Sequence, residues 1–193
     1  MALPVLSKQL IEKAIKAKGY KWFEDKLNIV GIRTSDMKSN TFNDYITISY
    51  KDKTGNWQFI GFECTTDPGL YHLKNPSRVK GTAILVPNQY IDAYRLGLHS
   101  GYEALVQDKL VAVYRDNNRD EYLNMDNKFI EVGYFGINIH RAHLTVLQYF
   151  VEKYSAGCQV IRNILAWWKF IEIVKNSKQA YFTYTLITEN DLK

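Results

Sequence analysis

Two residues in this chain combine a reactive type with a setting suited to nucleophilic chemistry: Cys158, a thiol, and His140, a base eighteen positions upstream. A cysteine needs little activation to attack a carbonyl, and a histidine within hydrogen-bond reach supplies it. Gly136-Ile137-Asn138-Ile139-His140-Arg141-Ala142 reads as a β-type run that delivers His140 to a strand end. Ser155-Ala156-Gly157-Cys158-Gln159-Val160 reads as a small-residue turn presenting Cys158 just before a helix. There, backbone N–H groups near a helix N-terminus would stabilise a thiolate and later the oxyanion of a tetrahedral intermediate. Gly157 lets backbone approach a substrate with no side chain in the way. Spacing alone leaves a blander alternative open, and it is the commoner one: a small buried hydrophobe at 158 and a satisfied polar group at 140.

The elements that must position this pair follow from periodicity. Ser7 to about Lys18 reads as a helix, with Ser7 as N-cap, Leu10, Ile11, Ala14 and Ile15 at helical spacing, and Gly19 as the stop. Strand-like runs follow at 28–32, 45–50 and 57–63, the last two joined by a turn at Lys53-Thr54-Gly55-Asn56. Further strands are expected at 81–86, 111–114, 129–139 and 181–187, with loops at Pro68-Gly69, Asn75-Pro76 and Pro87-Asn88. After Cys158, the residues Val160, Ile164, Trp167, Trp168, Ile171 and Val174 fall on one helical stripe reaching about Lys178, where the two tryptophans read as packing. No internal repeat, low-complexity tract or linker interrupts the chain. The expected fold is a single α+β domain, mostly β, with flanking N- and C-terminal helices.

The pair and its surroundings resemble the catalytic block of the L,D-transpeptidase (YkuD-type) family. Its members carry a Gly-x-x-x-His strand end, then a spacer, then Ser/Thr-His-Gly-Cys. Gly136 and His140 match the first motif; Ser155, Gly157 and Cys158 match the second. Upstream, Thr65-Thr66-Asp67-Pro68-Gly69-Leu70-Tyr71 is similar to the family's turn bordering the substrate cleft, and the likeness covers about residues 60–162. Segments 28–33, 81–87 and 102–107 are closest to a divergent branch found among phages and their hosts. The resemblance implies a sandwich or barrel core and a thioester acyl-enzyme formed on Cys158 from a peptidoglycan stem peptide. It implies His140 as base, the Arg141 carbonyl as its orienting group, and the N–H groups around Gly157 and Cys158 as oxyanion hole. Gly69, Tyr71, Tyr94, His99, Gln159 and Arg162 become the candidate substrate contacts. The chain departs from the pattern at Ala156, where the family has a second histidine, at Gln159-Val160, and at Arg141-Ala142. Arg162 is then the expected substitute for holding a substrate carboxylate.

Two further clusters carry the residue types of metal ligands. Asp116, Asn118 and Asp120 partly fit a calcium loop, but position 6 is Glu121 and position 12 is Asn127, so an Asx-rich turn is the preferred reading. His140 and His143 would meet on a helix, yet no third ligand is evident and zinc is not expected. No cofactor is implied.

Charge and composition narrow the partners. Of 193 residues, 25 are Lys or Arg and 20 Asp or Glu, giving a net charge of +5 that favours a polyanionic target such as a bacterial wall. No basic run or RNA-binding signature accompanies it, so no specific nucleic acid is expected. Cys64 and Cys158 make no disulfide framework. Met1-Ala2-Leu3-Pro4 leads into a charged helix with no secretory segment and no membrane span, which implies cytoplasmic synthesis. Action at the wall would then follow holin-type release or virion association, with a monomer favoured. These strands lead to a cysteine-dependent stem-peptide hydrolase, with an L,D-transpeptidase or a non-catalytic wall-binding module of the same fold as alternatives.

Overall fold

The computed structural model describes residues 4–126, 128 and 130–193. Its first helix, α1 (Lys8–Ala17), starts where Ser7 Oγ accepts from Leu10 N–H, and it buries Ile11, Ala14 and Ile15. Among the described residues eleven strands follow: β1 (Asn28–Arg33), β2 (Asp44–Lys51), β3 (Trp57–Thr65), β4 (Thr82–Leu85), β5 (Gln89–His99), β6 (Tyr102–Gln107), β7 (Val111–Asp116), β8 (Ile130–Gly133), β9 (Ile139–Arg141), β10 (Gln159–Ile161) and β11 (Phe182–Thr188). Helix α2 (Leu70–Lys74) sits between β3 and β4, α3 (Ile164–Asn176) precedes β11, and a 3₁₀ turn at Glu189–Leu192 closes the chain. None of these helices, among the described residues, is long and apolar enough to cross a membrane.

Eight strands close a barrel in the order β1-β11-β5-β6-β9-β10-β3-β2, and β4-β7-β8 form a small antiparallel sheet against it. The alternation of side chains along each strand fills the barrel with residues such as Ile29, Ile46, Ile48, Leu105, Ile139, Ile161, Tyr184 and Leu186. Trp167, Phe170, Ile171 and Val174 of α3 join this core, whereas Trp168 stays half exposed. One seam is thin: β6 and β9 meet in register only at Leu105–Ile139. Gln107 splices that seam. Its Oε1 accepts from Phe135 and Ile137 N–H, its Nε2 donates to Gly133 O, and its own N–H reaches Asn138 Oδ1.

The mostly β architecture and the N-terminal helix agree with the sequence pattern, and two expectations are corrected. The run 129–139 is not one strand: β8 ends at Gly133 and β9 begins at Ile139, with Gly136 at φ +70° turning the chain between them. Phe129, at the start of that expected strand, lies outside the described residues, as do Asn127 and Met1 to Leu3. Val160 belongs to β10, so the C-terminal helix starts only at Ile164, capped by Asn163 Oδ1. The long hairpin β5–β6 and the short helix α2 escaped the pattern altogether. In β5 (Gln-Tyr-Ile-Asp-Ala-Tyr-Arg-Leu-Gly-Leu-His), exposed Ile91 and Leu98 break the polar-out alternation that marks a strand.

Candidate active site

Strands β9 and β10 run parallel and pair Gln159 with Ile139, Val160 with His140 and Ile161 with Arg141. In-register pairs share a face, so Ile139, Gln159 and Ile161 point into the barrel while His140 and Val160 point outward. Cys158, two residues before Val160, falls on that outer face with His140, and packs with Phe42, Ala142, Val151 and Val160. The structure thus places the two residues singled out for chemistry on one outer face of the barrel.

His140 is held in one orientation. Its Nδ1 lies 2.7 Å from the carbonyl of Arg141, which can only accept, so Nδ1 carries the proton and Nε2 keeps the basic lone pair. Tyr102 Oη sits 3.2 Å from the same Nδ1 and 3.4 Å from Arg141 O, bracing the pair. His99 stacks on His140 with ring centroids 4.1 Å apart and 16° between planes. The Asn138 amide fixes His99 in turn: Oδ1 is committed to Gln107 N–H, so Nδ2 donates to His99 Nδ1 at 3.0 Å. Burial and the neighbouring His99 drive the His140 pKa down to about 3, and burial lowers His99 as well. Both shifts favour the neutral rings, and the stack disfavours charging both.

Cys158 rests as a thiol. Its Sγ–H donates to Gly136 O at 3.3 Å, and Asn138 N–H points at the sulfur from 3.5 Å. Burial pushes the thiol pKa up to about 11, with the Asn138 N–H pulling the other way. No hydrogen bond joins Cys158 to His140 in this state. The expected depressed thiol pKa is corrected for a plain reason. Cys158 precedes a strand rather than a helix, and the next helix along the chain starts only at Ile164.

The turn itself is built around Ser155 and Gly157. Ser155 Oγ donates to Cys158 O and accepts from Gly157 N–H, closing the turn on itself. Ser155 therefore braces the nucleophile, and the Gly157 N–H expected in an oxyanion hole is already engaged. Gly157 has φ +120°, and a Cβ there would stand 2.4 Å from Ala83 O. The upstream motif arrives at the same place. Gly69 N–H donates to Ser155 O at 2.9 Å, and a Gly69 Cβ would collide with Glu152 backbone. Gly69 thus locks two loops together instead of facing a ligand.

The other expected contacts divide. Tyr71 is exposed beside this turn, with Lys153 Nζ 4.5 Å over its ring, and half-buried His99 stands against His140. Three are corrected. Tyr94 is fully buried in the barrel and packs edge-on against Tyr184. Gln159 points inward, where Tyr184 Oη donates to its Oε1 and its Nε2 reaches Thr66 O and Gly157 O. Arg162 is spent on Gln148 O and Glu63 Oε2. Asp116 Oδ2, Asn118 Oδ1 and Asp120 Oδ1 accept within their own loop, from Asn124, Asp120 and Tyr122 N–H respectively, while the buried Asp116 Oδ1 has no partner among the described residues. Among the described residues no three His, Cys, Asp or Glu side chains gather to hold a metal. His143 lies in the loop after β9, not on a helix with His140.

Beneath the site is a cluster that composition did not reveal. Arg33 at the end of β1 donates from Nε to Thr66 Oγ1, from Nη1 to Leu85 O and from Nη2 to Thr66 O. Asp67 Oδ1 lies 2.8 Å from that Nε, but Thr66 takes the aligned N–H, so the contact is one of charge rather than a hydrogen bond. Asp44 accepts from Thr34 and Thr66. Two buried carboxylates around one guanidinium cannot both ionise cheaply. Burial raises the pKa of both, Asp67 to about 7, against the pull of Arg33. The sequence signal was faint: an arginine closing an apolar strand.

Compared with protein-family models, with curated proteins and with solved structures, the chain has no match.

Proposed function

We propose that this chain is a cysteine-dependent hydrolase of peptidoglycan stem peptides that works through a thioester acyl-enzyme. The observation carrying the reading is the placement of Cys158 and His140 on one outer face of the barrel, with the Arg141 carbonyl fixing Nε2 as the free base. The +5 charge suits a polyanionic wall, and the likeness to YkuD-type enzymes names the peptide class. The chemistry starts from a neutral pair. With a high-pKa thiol and a low-pKa imidazole, proton transfer to His140 Nε2 accompanies formation of the S–C bond. Cys158 must first turn its S–H away from Gly136 O. The imidazolium then gives its proton to the leaving amine as the C–N bond breaks, and water resolves the thioester. An amine in place of water would make the same acyl-enzyme a transpeptidase.

The deciding experiment incubates purified muropeptides with wild type, Cys158→Ala and His140→Ala and reads products by mass spectrometry. Hydrolysed peptides from wild type alone are expected. Exchanged peptides would move the assignment to transpeptidation, and identical products from wild type and Cys158→Ala would end the enzyme reading.

A further inference from the structure

Arg115, on β7, is the one buried arginine near the nucleophile whose bonding is incomplete. It pairs in register with Ala83 on the face of the small sheet that covers the barrel. It is 9% exposed, and its guanidinium lies over the Phe135 ring, 4.8 Å from the centroid. Nε donates to Glu131 Oε2 at 2.8 Å and Nη1 to Gly81 O at 3.3 Å. Nη2 finds no acceptor among the described residues. An unmet donor on a buried cation is costly, and native folds rarely leave one without use.

Beside that group is a recess of about 90 Å³ whose walls include His72, Ser77, Arg78, Phe135 and Ala156. Two of its walls lie beside the nucleophile along the chain. Ala156 belongs to the Cys158 turn, and Phe135 precedes Gly136, whose carbonyl accepts the hydrogen bond of the thiol S–H. Glu131 is the only acid bonded to Arg115, and it is shared with Lys80, so with Arg78 the cations outnumber it.

From these contacts we infer that the Arg115 recess is a carboxylate subsite, holding a free carboxylate of the peptide whose carbonyl Cys158 attacks. The volume suits a carboxylate-sized group and not a sugar ring. With Nε and Nη1 already committed, Arg115 offers one nitrogen, enough for a monoanion but not for the multidentate grip a phosphate rewards. The substrate part of this assignment rests on Cys158 being the attacking thiol; the anion site itself does not.

The test separates the two. Folded Cys158→Ala protein is titrated with acetate, acetamide and inorganic phosphate, following ¹H–¹⁵N shifts of the Arg115 Nε–H and the backbone amides of residues 81–83 and 156–157. Acetate is expected to shift them saturably, acetamide not at all, and Arg115→Gln to weaken acetate by about tenfold. Arg78→Glu, a fully surface change, should also weaken it, which covers the case in which Arg115→Gln unfolds. Equal shifts with acetamide, tighter binding of phosphate, or wild-type affinity in both variants would overturn the subsite. Muropeptide turnover is then read separately, with free and amidated peptides. Acetate binding without turnover leaves the subsite standing and removes the hydrolase reading. Equal turnover of free and amidated peptides, unchanged by Arg115→Gln, leaves the hydrolase reading standing and overturns the assignment of the recess to the substrate's carboxylate.

Discussion

Cys158 and His140 rest uncharged, and that sets what a labelling experiment should find. With the thiol pKa near 11, only a small fraction is thiolate at pH 7.5, and alkylation should rise about tenfold per pH unit up to that value. A stopped-flow pH series with iodoacetamide checks this, using Cys158→Ala to subtract Cys64. An apparent pKa below 8 would mean an activated thiolate that this geometry does not provide. Gly157 gives a second residue-scale expectation. Alanine there must adopt φ +120° and meet Ala83 O, so Gly157→Ala should cost about 2 kcal/mol or more, read as a lowered urea midpoint. Types and spacing in the sequence were enough to single out Cys158 and His140. They did not show that Ser155 would consume the Gly157 N–H, nor that Gln159 and Tyr94 would face inward, because facing is decided by strand register.

Strand register is also where the element scale departs from the pattern. Residues 129–139 look like one apolar run in the sequence, but 134–138 must leave the small sheet and join the barrel, and side-chain bonds from Gln107 help to hold them there. A glutamine in a hairpin carries no mark of that duty, so the splice was invisible in sequence. Gln107→Ala leaves the Phe135 and Ile137 N–H groups without acceptors, a loss of about 2–4 kcal/mol for the pair. Hydrogen exchange should report it locally, as faster exchange at those two amides than at β2 or β3. Uniform acceleration across the barrel would instead mean global destabilisation. The amphipathic α1 and the β2–β3 hairpin were legible because their turns and faces are local; β10, three residues long, was not.

At the scale of the whole molecule, two buried groups pull stability in opposite directions with pH. An unfolded histidine takes its proton near 6.5, whereas His140 in the fold refuses it until about pH 3. The unfolded chain therefore binds more protons in that window, and this contribution is lost as pH falls below 6.5. Asp67 is the reverse. Unfolded, it protonates at about 3.9, but in the fold it keeps its proton up to about 7. Its contribution is complete below about pH 4 and is lost as pH rises through 7. Urea midpoints between pH 4.5 and 7.5 should separate them: His140→Gln gains on wild type toward acid, and Asp67→Asn gains toward neutrality. Differences that do not vary with pH would show that neither group titrates as its burial implies.

The pairing of β1 with β11 joins Ile29 to Tyr184, near opposite ends of the chain. A ribosome making this protein emits β1 early and must then supply nearly every other strand before its partner arrives. Until residues 182–188 have been translated, the edges of β1 and β5 that β11 will occupy stay open to any passing strand. Barrel closure thus waits for residues 182–188, and a ribosome slowed or stopped before them would leave an adhesive sheet in place of a folded protein.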